Sequence, residues 1–463
     1  MFQLNIKDPI DQLNFTFQKG INVNISNNFN ETPLHLICQN INPESFEIIK
    51  FLVSNGADIN AKTYHNETPL HFVLSKSKIK VKIQMKLSNS FVSKGADINV
   101  KMQNNETILH LICQSPNPKS FEIIKFLIEN GADINAKTYE DETSLHFACQ
   151  SPNPNSFEII KFLVSNGENV KIKTNNNETP LHFACRNQNP DLFEIIKFLV
   201  SKGLDVNAKT NQNETPLHLI CQNPNPKSFE IIKFLIENGA DINAKTNNNE
   251  TPLHFACQSS NPNSIETIKF LIEKGLDSSY KTNRNCTALH FACQSPNPNS
   301  IEIIKLLVSK GLDINAKTNN NETPLHFACQ SSNPNSIEII KFLVSKGLDV
   351  NAKTYNNETP LHFACQSPNP NSNEIIKFLI SKGANINAKT NNNETPLHFA
   401  CQNSNPNSIE IIKISCFTRI RFCQYQNQLE FPFQNENENE NENENPKLFE
   451  SIKLLVSKRS KCE

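Results

Sequence analysis

One histidine position constrains this chain more than any other feature. It is filled by His35, His71, His110, His146, His182, His218, His254, His290, His326, His362 and His398. Nine of the ten intervals are 36 residues, and the interval from His71 to His110 is 39. The string around it is Thr-Pro-Leu-His-Phe-Ala-Cys or a near copy. A fixed period of this length marks stacked copies of one supersecondary unit. No 36-residue segment can bury its apolar surface alone, so neighbouring copies must cover one another.

The glycines obey the same period. All 11 of them, from Gly20 to Gly383, fall in one slot. A residue used so narrowly answers a backbone demand, here φ > 0 just after a helix.

Residues 318–353 serve as the example repeat. Thr323 is a good N-cap and Pro324 suits the first helical position, which predicts a short helix over 324–330. Leu325, Ala328 and Cys329 fall on its inner side. Ser331-Ser332-Asn333-Pro334-Asn335 breaks the helix, because the residue before a proline avoids helical angles. Ser336 is expected to cap a second helix over 337–346, with Ile337, Ile340, Phe342, Leu343 and Val344 spread over more than one face. Such a helix belongs between neighbours. Gly347 ends it, and an Asn-rich hairpin leads to the next threonine.

The motifs Thr-Pro-Leu-His, Ile-Ile-Lys-Phe-Leu and Gly-x-Asp-Ile-Asn-Ala resemble those of the ankyrin repeat family, over roughly residues 25–413. The resemblance implies an all-α repeat solenoid of stacked helix-loop-helix units with hairpin fingers. The family's usual period is about 33 residues. The three extra residues fall in the Ser-Pro-Asn-Pro-Asn-Ser loop, away from the hairpin, and are expected to leave the stacking intact.

The edges depart from the pattern. Residues 1–24 read as an N-terminal half-repeat or cap, with a lone second helix over 10–19. The second repeat loses its Pro-Asn loop to a basic run after Ser75, read as a decayed repeat with a solvated face. Residues 414–445 diverge and end in an alternating Asn/Glu tract, expected to be disordered. Residues 446–463 read as the isolated second helix of a degenerate last repeat.

Composition removes several functions. The net charge is −1, so no global field draws in nucleic acid or an anionic membrane. No run of about 18 apolar residues is present to insert in a membrane, and the first residues lack the basic and apolar regions of a secretory signal. Asparagine is abundant, at 71 residues. Such enrichment accompanies AT-rich coding and carries no mechanistic weight by itself.

No catalytic, cofactor or metal site is expected. Each repeated histidine sits three residues after its cap threonine and is read as a structural partner of that threonine or of the hairpin backbone. His326 and Cys329 share a helix face, but two ligands per repeat, about 10 Å from the next pair, do not make a four-ligand zinc site. Ten of the 14 cysteines fill one small buried slot, too far apart for disulfides. They point to a reducing compartment, the cytoplasm with the nucleus also open to it. Cys286, Cys416, Cys423 and Cys462 lie outside that ladder and are expected at the surface. The Asn-x-Thr sequons at Asn30, Asn66, Asn105 and Asn177 are read as cap threonines. Every glycine being committed, there is no phosphate loop, and no nucleophile-base pattern occurs.

What remains is binding. The resemblance implies that hairpin tips and first helices form a concave protein-binding surface. In this chain the scaffold slots barely vary while the tips do, which singles out Tyr64, His65, Tyr139, Glu140, Gln212, Arg284 and Tyr355 as candidate partner contacts. Lysines before the tip, such as Lys317 and Lys353, could pair with Glu322 and Glu358 after it, as exposed pairs of about 0–1 kcal/mol. The expectation is a monomeric, non-enzymatic scaffold or adaptor whose partners are other proteins, not nucleic acid or membrane. The alternatives are a substrate-recruiting or regulatory subunit of a ubiquitin ligase or phosphatase, a cytoskeletal or membrane-skeleton anchor, and a piece of a larger signalling enzyme.

Overall fold

The computed structural model describes residues 22–40, 45–75 and 81–402. The lone helix over 10–19, the basic run at 76–80, the segments 414–445 and 446–463, and Cys416, Cys423 and Cys462 lie outside the described residues. The chain divides into two compact halves, Met1–Ala244 and Lys245–Glu463.

Each half is a run of helix pairs, and no strand occurs among the described residues. Among the described residues the first half contains six pairs, from Pro33–Gln39 with Ser45–Ser54 to Pro216–Gln222 with Ser228–Glu237. The second contains four, from Pro252–Gln258 with Ser264–Glu273 to Pro360–Gln366 with Ser372–Ser381, and then Pro396–Gln402. First helices pack on first helices of the next repeat, and each packs on its own second helix.

The ninth repeat shows why. Its helices are Pro324–Gln330, seven residues, and Ser336–Ser345, ten residues. Leu325, Ala328, Cys329, Ile339, Ile340 and Leu343 are wholly buried. Each large aliphatic side chain so buried contributes about 1.5–3 kcal/mol. One correction follows. The second helix begins one residue earlier than expected, with Asn335 as its cap, and the Ser336 hydroxyl donates to the Asn333 carbonyl at 2.6 Å from inside the helix. Helices of seven and ten residues in a 36-residue repeat make the repeat just under half helical.

The glycine slot behaves as its period demands. Gly347 has φ +92°, and a Cβ there would meet nothing within 4 Å. The restriction is therefore one of backbone angle and not of space.

Asparagine turns out to carry the stacking. In the loop between the helices, buried Asn333 donates through Nδ2 to the carbonyls of Ser295 and Asn297 in the preceding repeat, at 2.8 and 2.9 Å. Its Oδ1 accepts from the Asn335 N–H at 2.8 Å. Asn369 repeats the arrangement on Ser331 and Asn333, both at 2.8 Å, and in the first half Asn189 reaches Asn153 at 2.8 Å. The three extra residues of this loop thus hold the stack together as well as leaving it intact. A second row lies after the glycine: Asn351 donates to the Gly383 carbonyl at 2.9 Å and accepts from Asn385 N–H at 2.7 Å. A third lies at the tips, where Asn357 donates to Asn391 across repeats. A primary amide suits this work because it donates and accepts at once. The abundance of asparagine, set aside on composition alone, is explained by these slots.

Candidate functional site

The hairpin tips are built to hold their shape whatever their middle residues are. In residues 354–358 the Thr354 N–H donates to the Glu358 carbonyl at 2.9 Å and the Asn357 N–H donates back to the Thr354 carbonyl at 3.0 Å. Asn357 has φ +59°, the left-handed conformation that asparagine tolerates. The same conformation recurs at Asn30, Asn66, Asn105 and Asn177, so the sequon asparagines are turn residues. The two residues between the threonine and this asparagine carry no part of the turn in their side chains.

All seven candidate residues are exposed at these tips: Tyr64, His65, Tyr139, Glu140 and Gln212 in the first half, Arg284 and Tyr355 in the second. The tyrosines are 61%, 69% and 72% exposed. Where asparagine holds their slot, its amide joins the preceding tip, as Asn175 does on the Tyr139 carbonyl at 2.8 Å and Asn391 on the Tyr355 carbonyl at 3.1 Å. Tyr139 and Tyr355 keep only the backbone link, to the carbonyls of Asn104 and Asn320 at 3.2 and 3.0 Å. Tyr64 and His65 are tied to the next tip by Gln103, whose Nε2 donates to the Tyr64 carbonyl at 2.7 Å.

One tip residue escaped the sequence reading. Phe29 is 67% exposed at the slot of His65 and Arg284, and the Tyr64 N–H bonds its carbonyl at 3.1 Å. The signal was its departure from asparagine at a variable tip position.

Behind the tips run a row of carboxylates and a row of phenylalanines. In the second half Glu250, Glu322, Phe291, Phe327 and Gln294 line one groove of about 670 Å³, with Arg284 and Cys286 at its rim. Cys286 replaces the glutamate of that row and is buried, not exposed as expected, because its short side chain does not reach past its flanking neighbours. The expected pairs across the turn do not form at Lys317 or Lys353; Glu322 instead accepts from the Thr318 hydroxyl at 3.0 Å. In the first half Glu142 titrates above the usual carboxylate range, raised by burial and then by neighbouring carboxylates including Glu106 and Glu178. The row takes a cation where the sequence supplies one. Arg186 stands where most other repeats have glutamine, and its guanidinium bridges Glu178 of its own repeat and Glu214 of the next, the latter at 3.6 Å.

The histidines have a structural task. Thr323 donates its backbone N–H to Nδ1 of His326 at 3.1 Å, and its hydroxyl lies 2.9 Å from the same atom. Nδ1 must therefore be the unprotonated nitrogen. In His110 and His182 the opposite Nε2 donates to the carbonyls of Ala136 and Ala208 one hairpin on, at 3.1 Å. Burial lowers the His326 imidazole to about 4, so it is neutral near pH 7. Its ring meets Phe363 of the next repeat edge-on at 5.2 Å between centroids. Burial likewise raises the thiol of Cys365 to about 12, far from a reactive thiolate. Among the described residues no group of three or more metal-ligating side chains converges.

One buried carboxyl breaks the pattern. Glu168 occupies the slot held by Ala132 and Leu204 in the flanking repeats and is 4% exposed. Its Oε1 accepts from the Leu145 N–H at 2.7 Å, and burial lifts its carboxyl to about 7.

Comparison with known families matches ankyrin repeats (three copies) over residues 6–83, 79–174, 153–246, 225–318, 278–354, 302–390 and 353–417. Among solved structures, the crystal structure of the human ASB11 ankyrin repeat domain is similar at 23% identity, with a TM-score of 0.43. That similarity covers 53% of this chain and 99% of the other. A comparison with curated protein sequences gives no match.

Proposed function

Because this chain belongs to the ankyrin repeat family, whose repeats bind other proteins, we propose that it is a non-enzymatic scaffold or adaptor. Its partner proteins bind across the hairpin tips and first helices. The observation carrying this reading is the contrast at one tip slot. Asparagine there joins the preceding tip, while Tyr64, Tyr139 and Tyr355 forgo that bond and hold their rings 61–72% exposed. Large amphipathic rings with few rotatable bonds bury area at small entropic cost. Phe29, beside Tyr64, extends the first of these patches. His65, Glu140, Gln212 and Arg284 supply the polar contacts around them. The buried cysteine ladder suits a reducing compartment, and the cytoplasm is the setting proposed.

The test changes each tyrosine to asparagine, the residue the scaffold itself uses there. Tyr139→Asn and Tyr355→Asn restore an inter-repeat amide, so loss of binding cannot be assigned to unfolding. In affinity purification with the intact chain, each variant is expected to lose at least one interactor. Unchanged interactors for all three variants would overturn the assignment of the tips.

A further inference from the structure

Glu322 and Phe327, at one end of the groove of the second half, begin a row of carboxylates and phenylalanines that Glu358 and Phe363 continue at the same slots one repeat on, and this row has an internal precedent for what sits on it. Glu322 and Glu358 occupy the same slots of successive repeats as Glu178 and Glu214. That earlier pair is bridged by Arg186. The residue at Arg186's slot in the ninth repeat is Gln330, which is exposed and uncharged. Among the described residues neither Glu322 nor Glu358 joins an ion pair. Glu322 lines the groove together with Phe327, Glu358 and Phe363 hold the same two slots one repeat on, and both rings are half-buried. A long basic side chain fits such a surface, with its stem on the ring and its charge at the carboxylate.

Spacing limits the ligand further. Successive repeats lie about 10 Å apart and an extended chain advances about 3.3 Å per residue, so every third residue of an extended segment meets the next repeat. We propose that the acidic row starting at Glu322 receives an extended basic segment of a partner protein. Arginine or lysine at every third position would be set over Glu322, Glu358 and Glu394. This rests on the reading above that the tip and first-helix face binds protein. Cys286 interrupts the acidic row one repeat before Glu322, between it and Glu250, with Arg284 at the adjoining tip, so a further cation has no carboxylate at that position.

The test is fluorescence anisotropy of the full chain with a labelled synthetic peptide carrying arginine at every third position between serines. A second peptide of equal composition has its arginines contiguous. The spaced peptide is expected to bind more tightly. Glu322→Gln and Glu358→Gln are each expected to weaken it about fivefold, the upper range for a partly exposed pair. Cys286→Glu, which lengthens the row, should tighten binding. Glu302→Gln removes the same charge from the second-helix ion pair with Lys305 and should leave binding unchanged. Equal affinity for both peptides, or an equal loss in Glu302→Gln, would overturn the proposal. If the spaced peptide fails to bind while the tyrosine variants still lose their interactors, the basic ligand is wrong and the scaffold reading stands.

Discussion

Asn333 donates its side-chain amide to the carbonyl of Asn297, the residue at the same slot one repeat earlier, at 2.9 Å. The bond lies in the interior, so its loss leaves a polar group without water. Asn333→Ala is expected to cost about 1–3 kcal/mol, read from denaturant midpoints. Asn320→Ser at an exposed tip should change stability by less than about 0.5 kcal/mol. Equal effects would show that the loop asparagines do not carry the stacking.

Gly347 tests the backbone separately from packing. Since a Cβ there meets nothing, Gly347→Val should lose about 1–3 kcal/mol through its positive φ alone. Gly347→Asn should lose clearly less, because asparagine tolerates that region. A smaller loss for valine than for asparagine in thermal melts would contradict this account.

The histidines predict acid sensitivity. In the fold His326 titrates near 4 instead of its ordinary 6.5, as do His71, His110 and His290. Between those values the unfolded chain binds protons that the fold excludes. Stability is therefore complete above about pH 6.5 and falls as pH drops toward 4, by about 1.4 kcal/mol per pH unit for each such histidine. Urea midpoints from pH 7 to 5 should fall steeply, and His326→Gln should flatten that slope.

Glu168 has the opposite sign. Its folded carboxyl titrates near 7, above the ordinary 4.5, so its contribution is complete below pH 4.5 and is lost as pH rises through 7. Glu168→Leu installs the residue found at Leu204 and should stabilise the protein by about 3 kcal/mol at pH 8, with little gain at pH 5. An equal gain at both values would mean that the carboxyl is not buried as described.

The fold was legible because its strongest constraints are positional. A histidine every 36 residues, a glycine that must take positive φ, and a threonine–proline helix start each name one place in the unit. The asparagines were harder to read, since counting them hides that Asn333, Asn351 and Asn357 occupy three separate slots with different partners. A primary amide's worth depends on which carbonyl faces it, and only the stack supplies that. Cys286 and Glu168 were misjudged or passed over for a related reason. Each is an exception at a slot whose burial is set by the repeats on either side. Phe29 was harder to place because Asn27 stands where most tips open with a threonine, as at Thr63 and Thr282.

The inter-repeat bonds also bear on how the array's length can change. Excision of residues 319–354 would bring Asn369 against Ser295 and Asn297 in place of Ser331 and Asn333, carbonyls of the same two residue types. The Tyr355 N–H would face the Arg284 carbonyl that Asn319 now uses at 2.8 Å. His290 would exchange Phe327 for Phe363, the ring that His326 now meets. No group would need a new kind of partner. Unequal recombination between such near-identical segments can therefore lengthen or shorten the protein by whole repeats, shifting its tip residues relative to one another while the junction stays chemically unchanged.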